Sequence, residues 1–163
     1  MSLIRPVERT DAAVIAAIYN YYVSNSIVTF EEEPVVPAEM ARRIDAVVSA
    51  SLPWLVLEDG GRVAGYAYAT QWKSRPAYRF AVESTIYLAH DVMTRGFGTT
   101  LYEHLFDALR ARSFHTVIGG VALPNDASVA LHQKLGMTRV AHFREVGFKF
   151  GRWIDVAYWQ RNL

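Results

Sequence analysis

The sequence predicts an α/β protein built as one domain, and three observations carry that prediction. Segments with helical apolar spacing interleave with short β-rich runs along the chain, the pattern that lays helices on a sheet. No repeat, low-complexity tract or linker divides the 163 residues. A chain of this length buries roughly 70% of its unfolded surface, and an apolar share of 52% against 20% charged residues is ordinary for a globular core.

The elements follow in order. "LIRPV" is a short apolar stretch, after which Thr10 and Asp11 give helix-start signals to an amphipathic run carrying Val14, Ile15, Ile18, Tyr21 and Tyr22. "VTFEEEPVVP" holds two prolines and three acids and predicts a loop or edge segment, and "AEMARRIDAVVSAS" predicts a second helix. "WLVLE", "DGGR" and "VAGYAYATQW" predict a hairpin, because glycines at the tip supply the positive φ angles of a tight turn. "AVESTIYLAH" predicts a strand, and "MTRGFGTT" then leads into a helix that places Leu101, Leu105, Ala108 and Leu109 on one face. "HTVIGGVAL" predicts a strand, "NDASVALHQKLG" a helix closed by Gly136, and "TRVAHFREV" and "WIDVAYWQ" the closing strands.

Composition excludes several functions. A formal net charge of +1 with no strongly basic helix or tail argues against nucleic-acid binding, which needs a concentrated basic surface. Without cysteine there is no disulfide, no thiolate nucleophile and no thiolate metal site. No apolar run approaches the ~20 residues of a membrane span, and the N-terminus lacks a signal-peptide pattern, so a cytoplasmic location is the expectation. His90, His104, His115 and His142 show no metal-ligand spacing, and no metal is expected.

The loop "MTRGFGTT" carries the first chemical signal. A Walker loop needs a lysine that is missing here, and a dinucleotide fingerprint needs a third glycine where Leu101 stands. What remains is strand, Gly-x-Gly loop, helix. Taken alone, Gly96 and Gly98 are more often plain turn residues; the other reading is close backbone approach to a phosphate at a helix N-terminus, where free N–H groups and the positive dipole end favour anions.

The order of these elements, with a second Asn-started helix about thirty residues on, resembles the GNAT superfamily of acyl-CoA-dependent N-acetyltransferases. "WKSRPAY", "VESTIYL", "ALPNDASVALHQKLGM" and "REVGFKFGRWIDVAYWQ" are similar to the phosphinothricin acetyltransferase branch of it, and so are "IYNYYV" and "TFEEEP" in the N-terminal half. The likeness covers nearly the whole chain. It implies a central mixed, mostly antiparallel twisted sheet flanked by about four helices, and acetyl-CoA as co-substrate. The family's pyrophosphate loop matches Met93, Thr94, Arg95, Gly96, Phe97 and Gly98, followed by Thr99; Met93 departs from the pattern, standing where the family usually carries Gln or Arg.

The resemblance also implies residue roles. Glu83, which by position alone could be an outward-facing strand residue or an ion-pair partner of Arg75 or Arg79, becomes the general base that removes a proton from the acceptor amine. Ile86, Tyr87 and Leu88 match a strand segment that splays from its neighbour so that backbone amides bind the pantetheine arm, with the Leu88 N–H as oxyanion donor. Asn125 is a good N-cap by residue type; the family sets an Asn there against the pantetheine arm, with Lys134 toward the phosphates. His132 stands where many members have a tyrosine that protonates the leaving thiolate, so it is a candidate general acid; a lone helical histidine is otherwise structural. Lys73, Ser74, Arg75 and Tyr78, with Ser84, Thr85 and Phe30, are the expected acceptor contacts.

The implied reaction is direct transfer of acetyl to the amine of a small amino-acid-like acceptor of the phosphinothricin, methionine sulfoximine or methionine sulfone type. Alternatives are a non-catalytic acyl-CoA sensor, and acetylation of a peptide or a polyamine. The aromatic-rich "GFKFGRWIDVAYWQ" suggests strands shared across a subunit boundary, and relatives are dimers, so a homodimer is expected.

Overall fold

The computed structural model describes residues 1–92 and 95–163. Met93 and Thr94, expected in the phosphate loop, lie outside the described residues. The elements run β1 (Ser2–Pro6), a 3-10 turn (Arg9–Asp11), α1 (Ala12–Asn25), α2 (Pro37–Ser49), β2 (Trp54–Asp59), β3 (Arg62–Gln71), a second 3-10 turn (Pro76–Tyr78), β4 (Ala81–Leu88), α3 (Phe97–Ala111), β5 (Thr116–Leu123), α4 (Asp126–Lys134), β6 (Thr138–Lys149) and β7 (Arg152–Asn162). Among the described residues, the seven strands form one sheet in the order β1-β2-β3-β4-β5-β7-β6. Only β4 and β5 run parallel, as a mixed and mostly antiparallel sheet requires.

Strand alternation builds two cores, one on each face. Trp54, Val56 and Tyr66 pack against α1 and α2, where Ile15, Ala16, Tyr19, Met40 and Ile44 are buried. Their neighbours Leu57 and Ala67 point the other way and join Leu101, Leu105, Phe106 and Leu109 of α3. A period of two in the strands meets a period near 3.6 in the helices, and three layers result. Gly60 and Gly61 take φ of 59° and 78° at the tip of the β2–β3 hairpin, the left-handed pair that the sequence predicts there.

The C-terminal hairpin departs from expectation. The sequence stops its first strand at Val146, whereas β6 continues to Lys149 and turns at Phe150 and Gly151, both with positive φ. Gly147 in the strand and a bulky residue at the turn position hid this extension, because Phe rarely adopts a left-handed backbone. Among the described residues, no helix is long and apolar enough to cross a membrane.

A half-buried ion pair ties the edge of the sheet to the turn that leads into α1. Arg5 of β1 donates twice to Asp11, at 2.8 Å each, and once to Glu58 of β2. The guanidinium's hydrogen bonds hold the Asp11 carboxyl below its usual range. A depressed carboxylate stabilises the fold above its unfolded pKa of about 4, and that contribution is lost as pH falls further through the folded value. The melting temperature therefore drops between about pH 5 and pH 3, and Asp11→Asn lowers it at pH 7 while flattening that part of the profile, which calorimetry across the pH series will read.

Candidate active site

β4 and β5 pair only at their first residues. Ala81, Val82 and Glu83 sit opposite Thr116, Val117 and Ile118, after which the two strands separate although both continue for five residues. Each remains paired on its outer side, β4 with β3 and β5 with β7. The wedge between them opens into a cavity of about 750 Å³ lined by Glu83 to Leu88 on one side and Gly120, Val121 and Ala122 on the other. Ala89 donates its N–H to Ala64 of β3, and Ala81 accepts from Trp72, so the odd-numbered peptides of β4 face β3. Alternation then turns the amides of Ile86 and Leu88 toward the wedge, beyond the last β5 partner.

Glu83 stands at the apex. Its side chain has no hydrogen bond or ion pair among the described residues, and burial pushes its carboxyl above the ordinary range. Arg75 and Arg79 do not pair with it, so the ion-pair reading fails. Room for the carboxylate comes from Gly120: a Cβ there would lie 3.5 Å from Glu83 Oε1 and 3.0 Å from the Tyr158 ring. Two consecutive glycines inside the β5 pattern are the sequence signal for this close approach.

At the other end of the cavity, α3 begins. Gly96 is its N-cap with φ of 76°, and a Cβ there would meet nothing within 4 Å, so glycine serves conformation and not space. Thr100 is the first residue of α3 to return an amide to Gly96, which leaves the N–H groups of Phe97, Gly98 and Thr99 without an acceptor within the helix. Gly98 has the opposite role: its missing side chain admits Leu131 of α4. Asn125 caps α4, its side chain accepting from the Ser128 amide at 3.1 Å, and it also lines the cavity. Lys134 lies on the same wall with its side chain exposed.

His132 lines the cavity but is 3% exposed. Its Nδ1 lies 2.6 Å from the Ser128 carbonyl, so Nδ1 carries the hydrogen, and Nε2 faces Gly119 of β5. Burial lowers its pKa. The neutral ring so fixed holds a lone pair at Nε2 and has no proton to give there; donation to a thiolate would require the imidazolium, which burial disfavours.

The structure gathers Glu83, Ser84, Thr85, Ile86, Tyr87, Leu88, Gly96, Gly98, Thr99, Asn125, His132 and Lys134 around one cavity. Arg95 is turned away, exposed, in an ion pair with Asp59 and against the Phe97 ring. Lys73, Ser74, Arg75 and Tyr78 occupy an exposed loop that does not line the cavity; its link inward is Trp72, which meets Tyr158 edge-on at 5.7 Å. Phe30 lies outside too, its ring against Gly147. The cavity uses residues that the sequence reading placed in the core or did not single out: Tyr22, Ser26, Val28 and Tyr102. Ser84 Oγ and the Tyr102 hydroxyl are 3.3 Å apart at the apex.

A splayed parallel pair, a helix N-terminus at one end and an unpartnered carboxylate at the other define an acyl-transfer architecture, and sequence comparison places it. The model of the acetyltransferase (GNAT) domain matches residues 4–158, and the chain belongs to the GNAT acetyltransferase family. It is 43% identical to a phosphinothricin N-acetyltransferase of Streptomyces viridochromogenes, over 98% of this chain and 87% of that one. It is 33% identical to an L-methionine sulfoximine/L-methionine sulfone acetyltransferase of Salmonella typhimurium, over 98% and 94%. The crystal structure of a phosphinothricin acetyltransferase from Sinorhizobium meliloti in complex with AcCoA superposes with a TM-score of 0.96 at 37% identity, covering 99% of this chain and 88% of that one.

A raised carboxyl pKa opposes folding when the group is charged, above its folded pKa, and has no effect below the unfolded value. Glu83→Gln therefore melts at or above the wild-type temperature at pH 7, and the difference closes as pH falls to about 4. Differential scanning calorimetry reads this; a clear loss of stability would show that the carboxylate has a partner.

Proposed function

We propose that the protein transfers acetyl from acetyl-CoA to the amino group of a small amino-acid-like acceptor, by direct attack in a ternary complex, with Glu83 as general base. The observation that carries the reading is the desolvated, unpartnered Glu83 carboxylate at the apex of the β4–β5 wedge. The α3 N-terminus fits a pyrophosphate: its open amides, its dipole and the exposed ammonium of Lys134 all favour an anion. The backbone amides of Ile86 and Leu88, beyond the last β5 partner, fit an extended amide-bearing arm along the wedge, with Asn125 on the opposite wall, while the Leu88 carbonyl accepts from the Tyr22 hydroxyl. The acceptor class rests on the names of the phosphinothricin and methionine sulfoximine/sulfone relatives.

Each group then has a defined task. An acceptor ammonium gives its proton to Glu83, whose raised pKa makes it a stronger base than an exposed carboxylate. The neutral amine attacks the thioester carbonyl, and the Leu88 N–H donates to the oxygen as negative charge develops; such a donor is worth about 3 kcal/mol. Collapse expels the thiolate, and the surplus proton on the acylated nitrogen passes to the sulfur, so that the products are the amide and the free thiol. The neutral tautomer of His132 supports a packing role between α4 and β5 better than that of acid. Ser84, Thr85, Val28 and Ser26 wall the acceptor end, while Lys73 and Arg75 act on an anionic acceptor through their field and not by contact. That cationic loop disfavours a polyamine.

The same reading includes a homodimer. Phe143, Val146, Phe148, Phe150 and Trp153 leave an exposed apolar face on β6 and β7, a surface that a second copy would cover.

Thiol release from acetyl-CoA, measured with L-phosphinothricin, L-methionine sulfone, L-methionine sulfoximine and the common amino acids, tests the activity. Glu83→Gln lowers kcat by about 10²–10⁴-fold at pH 7 without loss of acetyl-CoA binding. The acidic limb of the wild-type kcat/KM profile lies above the pKa of an exposed glutamate, about 4.3. Wild-type rates in the variant would remove Glu83 from the mechanism, and acetyl-CoA binding with no turnover of any acceptor would favour a sensor.

A further inference from the structure

The acceptor wall is hung between two buried polar systems, and one of them belongs to the distant β6–β7 hairpin. Residues 26–31 follow α1 and supply Ser26 and Val28 to the cavity. From the helical side, the Tyr19 hydroxyl hydrogen-bonds Thr29 at 2.7 Å and also Glu31, and Arg43 of α2 forks onto Glu31 at 2.6 and 2.9 Å. From the other side comes Lys149, the last residue of β6, only 1% exposed. Its ammonium donates to the carbonyl of Ser26 at 2.7 Å and to that of Thr29 at 2.8 Å. These two carbonyls bracket Val28, so a single charged group fixes both ends of the segment that faces the cavity.

A buried lysine with no hydrogen-bonded carboxylate is expensive to keep, since burial disfavours its charge and Glu32 supplies only a longer-range attraction. A methionine or leucine would fill the space without that penalty. Two carbonyls turned inward from a loop would then lose their donor. Gly147, two residues earlier on the same strand, reinforces the contact: any Cβ there would run into the ring of Phe30. The hairpin thus grips residues 26–30 at three points, and the loop's shape depends on a part of the chain more than a hundred residues away.

We propose that Lys149 is a positioning residue for the acceptor: its ammonium latches residues 26–30 to the β6–β7 hairpin and thereby sets the wall at Ser26 and Val28 against which the acceptor binds. The consequence for the reaction, though not the latch, rests on the acceptor end of the cavity being as proposed above. On the same reading acetyl-CoA is held by α3, α4 and the backbone of β4, on the other side of the cavity from this wall, so the two substrates are expected to respond differently to its loss.

Lys149→Met and Lys149→Arg, with Gly147→Ala as an independent perturbation of the same grip, are compared with wild type and Glu83→Gln by steady-state kinetics with the best acceptor of the panel above. Amide hydrogen exchange over residues 26–31 is followed in parallel. Lys149→Met raises the acceptor KM at least tenfold while the acetyl-CoA KM stays within twofold, exchange at 26–31 accelerates at least tenfold, and Lys149→Arg recovers part of both. Gly147→Ala moves the acceptor KM in the same direction. Unchanged exchange in Lys149→Met overturns the latch, and unchanged acceptor KM, or equal loss for both substrates, overturns the positioning role. An active Glu83→Gln beside a selective Lys149→Met effect would sink the base assignment alone; an inactive Glu83→Gln beside a silent Lys149→Met would sink this inference alone. If no panel member is acetylated, the acceptor reading and the positioning role fall together.

Discussion

The separation of β4 from β5 after one short parallel contact is the constraint on which the rest of the molecule depends. Both strands run on for five more residues without each other, yet neither is an edge, because β3 and β7 satisfy their outer sides throughout. Along those five residues every second peptide turns inward, and on β4 the amides of Ile86 and Leu88 are left beyond the last β5 partner. Unpaired backbone buried in a protein costs free energy comparable to a lost hydrogen bond for each group. Such a gap persists only where something polar can meet those groups. The Ser84 hydroxyl near Tyr102 and near the Ile118 carbonyl sits at the point of divergence, where the ladder gives out.

The carboxylates divide along the same line. Asp11 is tied to Arg5 and Glu31 to Arg43, and in each the guanidinium holds the acid below its usual range. These acids hold elements together: β1 to the first turn, and the loop after α1 to α2. Glu83 has burial without a partner, so its pKa moves the other way. A fold gains nothing from such a group, and the free energy it forfeits makes the carboxylate basic. Opposite shifts in acids of one small protein separate those that maintain the structure from the one proposed above as the base.

Much of the fold was legible because its signals are local. Asp-Gly-Gly between β-rich runs gave the β2–β3 hairpin, helical periodicity gave α1, α2 and α3, and Gly136 ended α4 with the left-handed φ expected of it. The residues on the side proposed for the cofactor are legible from motif spacing, since Gly96 serves a left-handed backbone, Gly98 close packing and Asn125 a helix cap, each announced by its residue type. The side proposed for the acceptor is not. Lys73, Arg75 and Tyr78 carry the right chemistry in a loop adjacent in sequence to β4, but the chain turns them to solvent, while Tyr22, Ser26 and Val28 arrive from more than fifty residues away through packing of α1 on the sheet. Side-chain chemistry along the sequence says nothing about which loop folds over a wedge. Lys149 was hidden for a related reason: inside an aromatic run, a lysine reads as the exposed side of a strand, and only the carbonyls of a distant loop make it a buried one.

The two sides of the cavity are consequently built from different materials. The side we assign to the cofactor is hydrogen-bonded secondary structure, two helix termini and a strand, held by apolar packing that involves Leu101, Leu105 and Leu131. The side we assign to the acceptor is a loop tied by a few strong polar contacts from Tyr19, Arg43 and Lys149. Such contacts are all-or-none: remove one donor and a buried acceptor is stranded, with a penalty of about 1–3 kcal/mol that the loop relieves by moving. A common acyl-donor site beside a wall set by a handful of replaceable polar residues is an arrangement in which acceptor preference can change while the acetyl-transfer apparatus stays fixed.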